Sequence, residues 1–199
     1  FYFLFLLIIF FVFLNFENNF SELFLSLTSS ISNVGFSLNS SPNNLSFVFL
    51  ILVIIGGSFF STSSGIRFLK IYSLFKYSIN EILSYSRPKN IYINKHLFSK
   101  DTFKLDEIYK YFLSVIVFII SLLILTFLLT LSGIDFESSF KLSILTIMNT
   151  VNSSMFGLGD FSFYDLHFMT KYYLIFFMII GRLELLTLLI ICKKFLFKN

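Results

Sequence analysis

Gly56-Gly57-Ser58-Phe59-Phe60-Ser61-Thr62-Ser63-Ser64-Gly65 lies in the middle of an apolar stretch running from Leu45 to Leu83, and its reading decides the fold. As one straight helix the stretch would extend about 57 Å at 1.5 Å per residue, nearly twice the ~30 Å hydrocarbon core of a bilayer. Its centre holds three glycines and a run of hydroxyl residues. These are poor helix formers, and their side chains compete for backbone hydrogen bonds. The stretch is expected to form two helices joined by irregular backbone at membrane depth, which is tolerated only where it is buried in protein or lines a water-filled cavity.

Composition agrees with a membrane setting. Of 199 residues, 56% are hydrophobic and 13% charged, with a mean hydropathy of +0.85. A soluble domain carries about 25% charged residues, so a water-soluble globule is excluded. The stretches Tyr109 to Leu131 and Lys171 to Cys192 each fit one spanning helix by length. Phe1 to Leu14 is too short to span and lacks the basic start and small-residue cleavage site of a signal peptide. It is expected to be the end of a spanning helix, the chain being the C-terminal portion of a longer protein. The single cysteine, Cys192, excludes an intramolecular disulfide, and no Cys/His cluster points to a metal site. No Ser/His/Asp arrangement sits at membrane depth, so an enzyme is not expected, nor a cofactor, nor a nucleic-acid partner.

Two shorter segments, Phe16 to Asn39 and Phe136 to Gly159, are too polar to span and too apolar for free loops. At a constant offset of 120 they pair Phe16/Phe136, Glu17/Glu137, Phe20/Phe140, Leu25/Leu145, Phe36/Phe156 and Leu38/Leu158. Either this is an internal repeat or it is chance similarity between two segments of biased composition. As a repeat, each copy reads as spanning helix, short helix, Ser/Asn/Gly-rich turn and spanning helix. That is the plan of a re-entrant pore loop, in which backbone carbonyls replace an ion's water.

Nine of the fifteen basic residues (Arg67, Lys70, Lys76, Arg87, Lys89, Lys95, Lys100, Lys104, Lys110) fall between 67 and 110, and Lys193, Lys194 and Lys198 follow in the tail. The positive-inside rule makes both regions cytoplasmic. The turns and short helices then face outward with Glu17, Glu22, Asp135, Glu137, Asp160 and Asp165. Two readings stand for these acids: an outer vestibule that concentrates cations, or ordinary translocated loops. The basic region equally suits anionic lipid, a docking partner or topology alone. His96 and His167 are expected to be solvated.

Three motifs carry a resemblance. Ser32-Asn33-Val34-Gly35-Phe36-Ser37 resembles the third filter of the TrkH/KtrB family of potassium transporters. Gly56 to Arg67 is similar to that family's GG-x-x-x-ST-x-GGIK segment, and Gly181-Arg182-Leu183-Glu184 to its GRLE signature. They occur in family order and cover almost the whole chain. The resemblance implies an all-α membrane protein of two helix/pore-loop/helix repeats, half of a pseudo-fourfold cation channel-like fold. A third-type repeat would span 1–83, a basic cytoplasmic linker 84–108 and a fourth-type repeat 109–199.

It further implies potassium uptake across a bacterial cytoplasmic membrane by a multi-pass protein, with potassium as transported substrate, a homodimer of the full-length subunit and a cytosolic nucleotide-binding regulatory subunit. The ion filter would comprise Ser32, Asn33, Val34, Gly35 and Phe36 with Ser153, Ser154, Met155 and Phe156, potassium contacting Asn33, Val34, Gly35, Ser154 and Met155. The gate would comprise Gly56, Gly57, Ser61, Thr62, Ser63, Ser64, Gly65 and Arg182.

There are departures. Met155 stands where the fourth filter has glycine, and a Cβ enters left-handed backbone at a cost of about 1–2 kcal/mol. Ser64 replaces the first of two glycines, and Arg67 a lysine. A sodium-permeable or poorly selective transporter, and a non-conducting membrane remnant or scaffold, are the alternative readings. Arg182 near the middle of the last helix costs ~2.5–3.5 kcal/mol on insertion scales and must face water or a partner. Glu184, two residues on, does not share its helix face. Arg182 is expected either to hydrogen-bond the Ser61–Gly65 backbone as part of a gate or to tether helices without gating.

Overall fold

The computed structural model describes residues 20–36, 46–56, 66, 68–86, 105–151, 154–158, 161–164 and 166–182. The expected short first helix (1–14), the Gly57–Gly65 segment, Arg67, most of the 84–108 linker, Ser153 and the tail lysines lie outside these residues, as does Glu184. Among the described residues the structure is all-helical. The helices are α1 (Phe20–Ile31), α2 (Ser46–Ile55), α3 (Phe68–Ser86), α4 (Leu105–Leu131), α5 (Phe136–Met148) and α6 (Phe168–Arg182), with a 3-10 turn at Ser154–Phe156.

The long stretch is broken where its glycines fall. α2 stops at Ile55, Gly56 turns to a φ of 67°, and a new helix begins at Phe68. α4, at about 40 Å by its residue count, is long and apolar enough to cross a bilayer. Phe118, Leu122, Leu125 and Leu129 are buried along one face, while Ile120, Leu123, Ile124 and Phe127 are exposed along the other. A helix apolar on its exposed face as well as its buried one belongs in lipid.

α4 ends in a turn at Gly133, whose φ of 87° lets the Ile134 N–H reach back to the Leu129 carbonyl at 3.4 Å. Asp135 then caps α5, its carboxylate accepting the Glu137 N–H at 3.3 Å. α5 is the hub of the described fold, packing against α2, α4 and α6. Every residue from Leu142 to Met148 is buried. Its buried hydroxyls are satisfied within the helix, Ser143 donating to the Ser139 carbonyl at 2.7 Å and Thr146 to the Leu142 carbonyl at 2.6 Å.

α6 crosses close to the end of α5 at Gly181. A Cβ at that position would overlap the Ile147 backbone carbonyl, so the crossing depends on a residue with no side chain. Gly181→Ala is therefore expected to lower the thermal unfolding midpoint in detergent, corresponding to about 1–3 kcal/mol of overpacking, whereas Ser132→Ala at an exposed turn leaves it unchanged.

Candidate functional site: two facing helix ends

α1 and α5 end alike. Asn33 has a φ of 57° and Asn149 of 55°. The Asn33 N–H bonds the Ser30 carbonyl at 3.2 Å and the Val34 N–H the Ser29 carbonyl at 3.0 Å. In the second copy the Asn149 N–H bonds Thr146 at 3.1 Å and the Thr150 N–H bonds Leu145 at 2.9 Å. This pair of reverse bonds is a Schellman stop, and asparagine tolerates the left-handed residue it requires. One turn earlier Ser30 Oγ donates to the Ser26 carbonyl at 2.7 Å, as Thr146 does to Leu142.

All these correspondences hold at an offset of 116, since 149 less 33 is 116. The constant offset of 120 read from the sequence is thus one helical turn too long for the two helices. Phe16, Phe20 and Phe24 recur every four residues, so a slip of one turn keeps aromatic facing aromatic. Gly35 and Met155, which the sequence motifs pair at 120, stand two and six residues beyond their caps and so are not at equivalent positions in the two turns.

The segments beyond the caps meet. The Val151 N–H donates to the Val34 carbonyl at 3.2 Å. Gly35 has a φ of 79°, and a Cβ there would overlap the Val151 carbonyl and sit 2.7 Å from Thr150 Cγ2. Gly35 is required both for its left-handed backbone and for this approach. Ser29 holds the first turn together: its carbonyl accepts the Val34 and Gly35 N–H groups, the latter at 3.4 Å, and its hydroxyl accepts the Phe36 N–H at 2.6 Å. Asn149 Nδ2 donates to the Met178 carbonyl at 3.0 Å, tying the second cap to α6.

Of the residues singled out from sequence, Val34 and Gly35 lie at this seam, with Val34 and Phe36 exposed. Asn33 is buried at the cap. Ser154, Met155 and Phe156 form the 3-10 turn that packs on α2. Met155 and Phe156 are 0% exposed, and Met155 Sδ lies 3.7 Å from Ser30 Oγ. Gly56 is buried, its N–H on the Leu52 carbonyl at 3.0 Å. Arg182 is exposed at the last described position of α6, next to Gly181 and so beside the C-terminal turn of α5. The Ser61–Gly65 backbone expected to meet it lies outside the described residues. Sequence reading missed Ser29, Asn149, Thr150 and Val151. The asparagine at the end of each short helix was the available signal.

Both helix C-termini bring a partial charge of roughly half an electron to the seam. At the far end of α5 Glu137 pairs with Lys141 at 2.5 Å. The hydrogen bond and charge of Lys141 hold the Glu137 carboxyl below its ordinary range. The pair's contribution is complete above the ordinary glutamate pKa and is lost as pH falls through the lowered one. Lys171 donates to the Tyr164 carbonyl at 3.0 Å and lies 5.8 Å from the centre of that ring.

No protein-family model matches the chain, and no curated protein sequence does. In structure it is similar to the potassium transporter TrkH from Vibrio parahaemolyticus, with a TM-score of 0.75 and 22% identity, over 94% of this chain and 41% of that one. The chain therefore spans less than half the length of that transporter. The likeness shows the fold alone: the described helices of this chain are arranged like those of part of that structure.

The seam's dependence on two small residues is testable by thermal unfolding. Gly35→Ala is expected to destabilise by more than the about 1–2 kcal/mol of left-handed strain alone, because its methyl also overlaps backbone. Ser29→Ala, which strands the Phe36 N–H, is expected to cost about 1–3 kcal/mol.

Proposed function

We propose that this chain forms half of a potassium uptake pathway across a bacterial cytoplasmic membrane. The observation that carries the reading is the meeting of two Asn-capped helix ends, Val151 N–H on Val34 C=O, inside a fold similar to that of a potassium transporter. Ser32 to Phe36 supply one quarter of the ion-facing backbone and the segment after α5 another. Potassium is the transported substrate, and the reading is transport, without a catalytic centre or cofactor. The complete subunit works as a homodimer in lipid under a cytosolic nucleotide-binding regulator, as the family resemblance implies.

The gate is the backbone from Gly56 to Gly65 with Arg182. Its support is the left-handed Gly56 that ends α2 and the position of Arg182 one residue beyond the Gly181 crossing.

The full-length protein, expressed in cells lacking their own potassium uptake, is expected to restore growth at low potassium and to accumulate rubidium. Neither growth nor rubidium accumulation at normal membrane abundance removes the transport reading. Arg182→Ala is expected to raise flux several-fold by releasing the gate. Unchanged open probability and flux leave Arg182 as a tether.

A further inference from the structure

From the register of the two helix caps we infer that the second repeat presents Asn149-Thr150-Val151 to the ion, and that Met155 and Phe156 are core. This deepens the transport proposal and rests on it. The resemblance places the fourth filter at Ser153–Phe156, with Met155 in the glycine position. The structure places three observations against that assignment.

The first is backbone geometry. The residue that carries the first turn from its helix is Asn33, and its equivalent by φ and by both reverse hydrogen bonds is Asn149. Val34 then corresponds to Thr150 and Gly35 to Val151. Beyond that the turns differ, since Gly35 has a positive φ and Val151 does not. Val151 can therefore carry a side chain there without the strain that Met155 would meet in a left-handed filter position.

The second is contact between the copies. Val151 donates its N–H to Val34, and its carbonyl oxygen is the atom closest to where a Gly35 Cβ would stand. Filter segments that share an ion must bring their backbones to one locus, and 34–35 with 150–151 do so.

The third is an unsatisfied polar group. Thr150 Oγ1 is buried and has no hydrogen-bond partner among the described residues. A buried hydroxyl without a partner is costly unless something else binds it, and a cation at the seam supplies that. Met155 instead fills the core at 0% exposure, its sulfur in contact with Ser30 Oγ at 3.7 Å.

The two registers predict opposite outcomes for rubidium and sodium uptake measured side by side with the full-length protein. On the cap register Thr150→Val, which removes only the hydroxyl oxygen, shifts the rubidium-to-sodium ratio several-fold. Met155→Leu leaves the ratio unchanged, and Met155→Gly lowers membrane abundance without raising potassium preference. A ratio that rises with Met155→Gly and ignores Thr150→Val overturns the inference. Should Thr150→Val fail to accumulate, a Cys192→Ser background decides: an external cationic methanethiosulfonate is expected to block Val151→Cys and spare Met155→Cys, and the reverse overturns the register. Absence of uptake by the unmutated protein defeats the transport proposal itself, a separate outcome.

Discussion

The hydrogen bond from the Val151 N–H to the Val34 carbonyl joins the two segments that follow the ends of α1 and α5. A helix that stops inside a bilayer leaves its last carbonyls without intrahelical partners, and each unsatisfied group there costs several kcal/mol. The fold meets this twice with the same device. An asparagine reverses the chain, the following N–H groups return to the last turn, and the two reversed segments then bond to each other. The all-round burial of α5 from Leu142 to Met148 follows from the same constraint, since a short helix at that depth is stable only when neighbouring helices enclose it.

The second cap also reaches α6. Asn149 is held to the Met178 carbonyl, and one turn further Gly181 lies against Ile147. The end of α5 is thereby pinned between the seam on one side and α6 on the other, with Arg182 the next residue along. Movement of α6 at this crossing cannot leave the seam undisturbed, because two contacts of backbone with backbone or side-chain amide stand between them. This would connect the proposed gate to the proposed ion-facing backbone without a long relay of side chains.

Much of this was legible in the residues. The break at Gly56 follows from helix propensity and from the mismatch between stretch length and bilayer thickness. The lipid-facing character of α4 follows from a run apolar on every face. Gly35 was legible as a turn glycine, while the reason it must be glycine, the approach of the Val151 carbonyl, depends on a contact 116 residues away that no local pattern carries. The register of the repeat misled for a physical reason. Phenylalanines spaced by four give a helix a sequence that nearly repeats itself each turn, so residue matching tolerates a one-turn slip that hydrogen-bonded caps do not. Ser29 was hidden because its role is to accept three backbone N–H groups, which any of several neighbouring serines could have done.

The donor set at the seam bears on which ion suits it. Residues 29–36 and 149–151 include no acidic residue and offer carbonyl and hydroxyl oxygens. The two helix ends together bring close to one elementary negative charge as dipoles. The nearest carboxylates along α5, Asp135 and Glu137, stand at its other end, about 21 Å and 18 Å from Asn149 at 1.5 Å per residue. That exceeds two Debye lengths of ~8 Å, and Glu137 is already paired with Lys141. A divalent cation draws on several carboxylates to offset its dehydration, so it gains little here. On the transport proposal, a monovalent ion with a looser water shell is matched in charge by the two dipoles, and the contact between Gly35 and Val151 would set the spacing of the backbones that read its size.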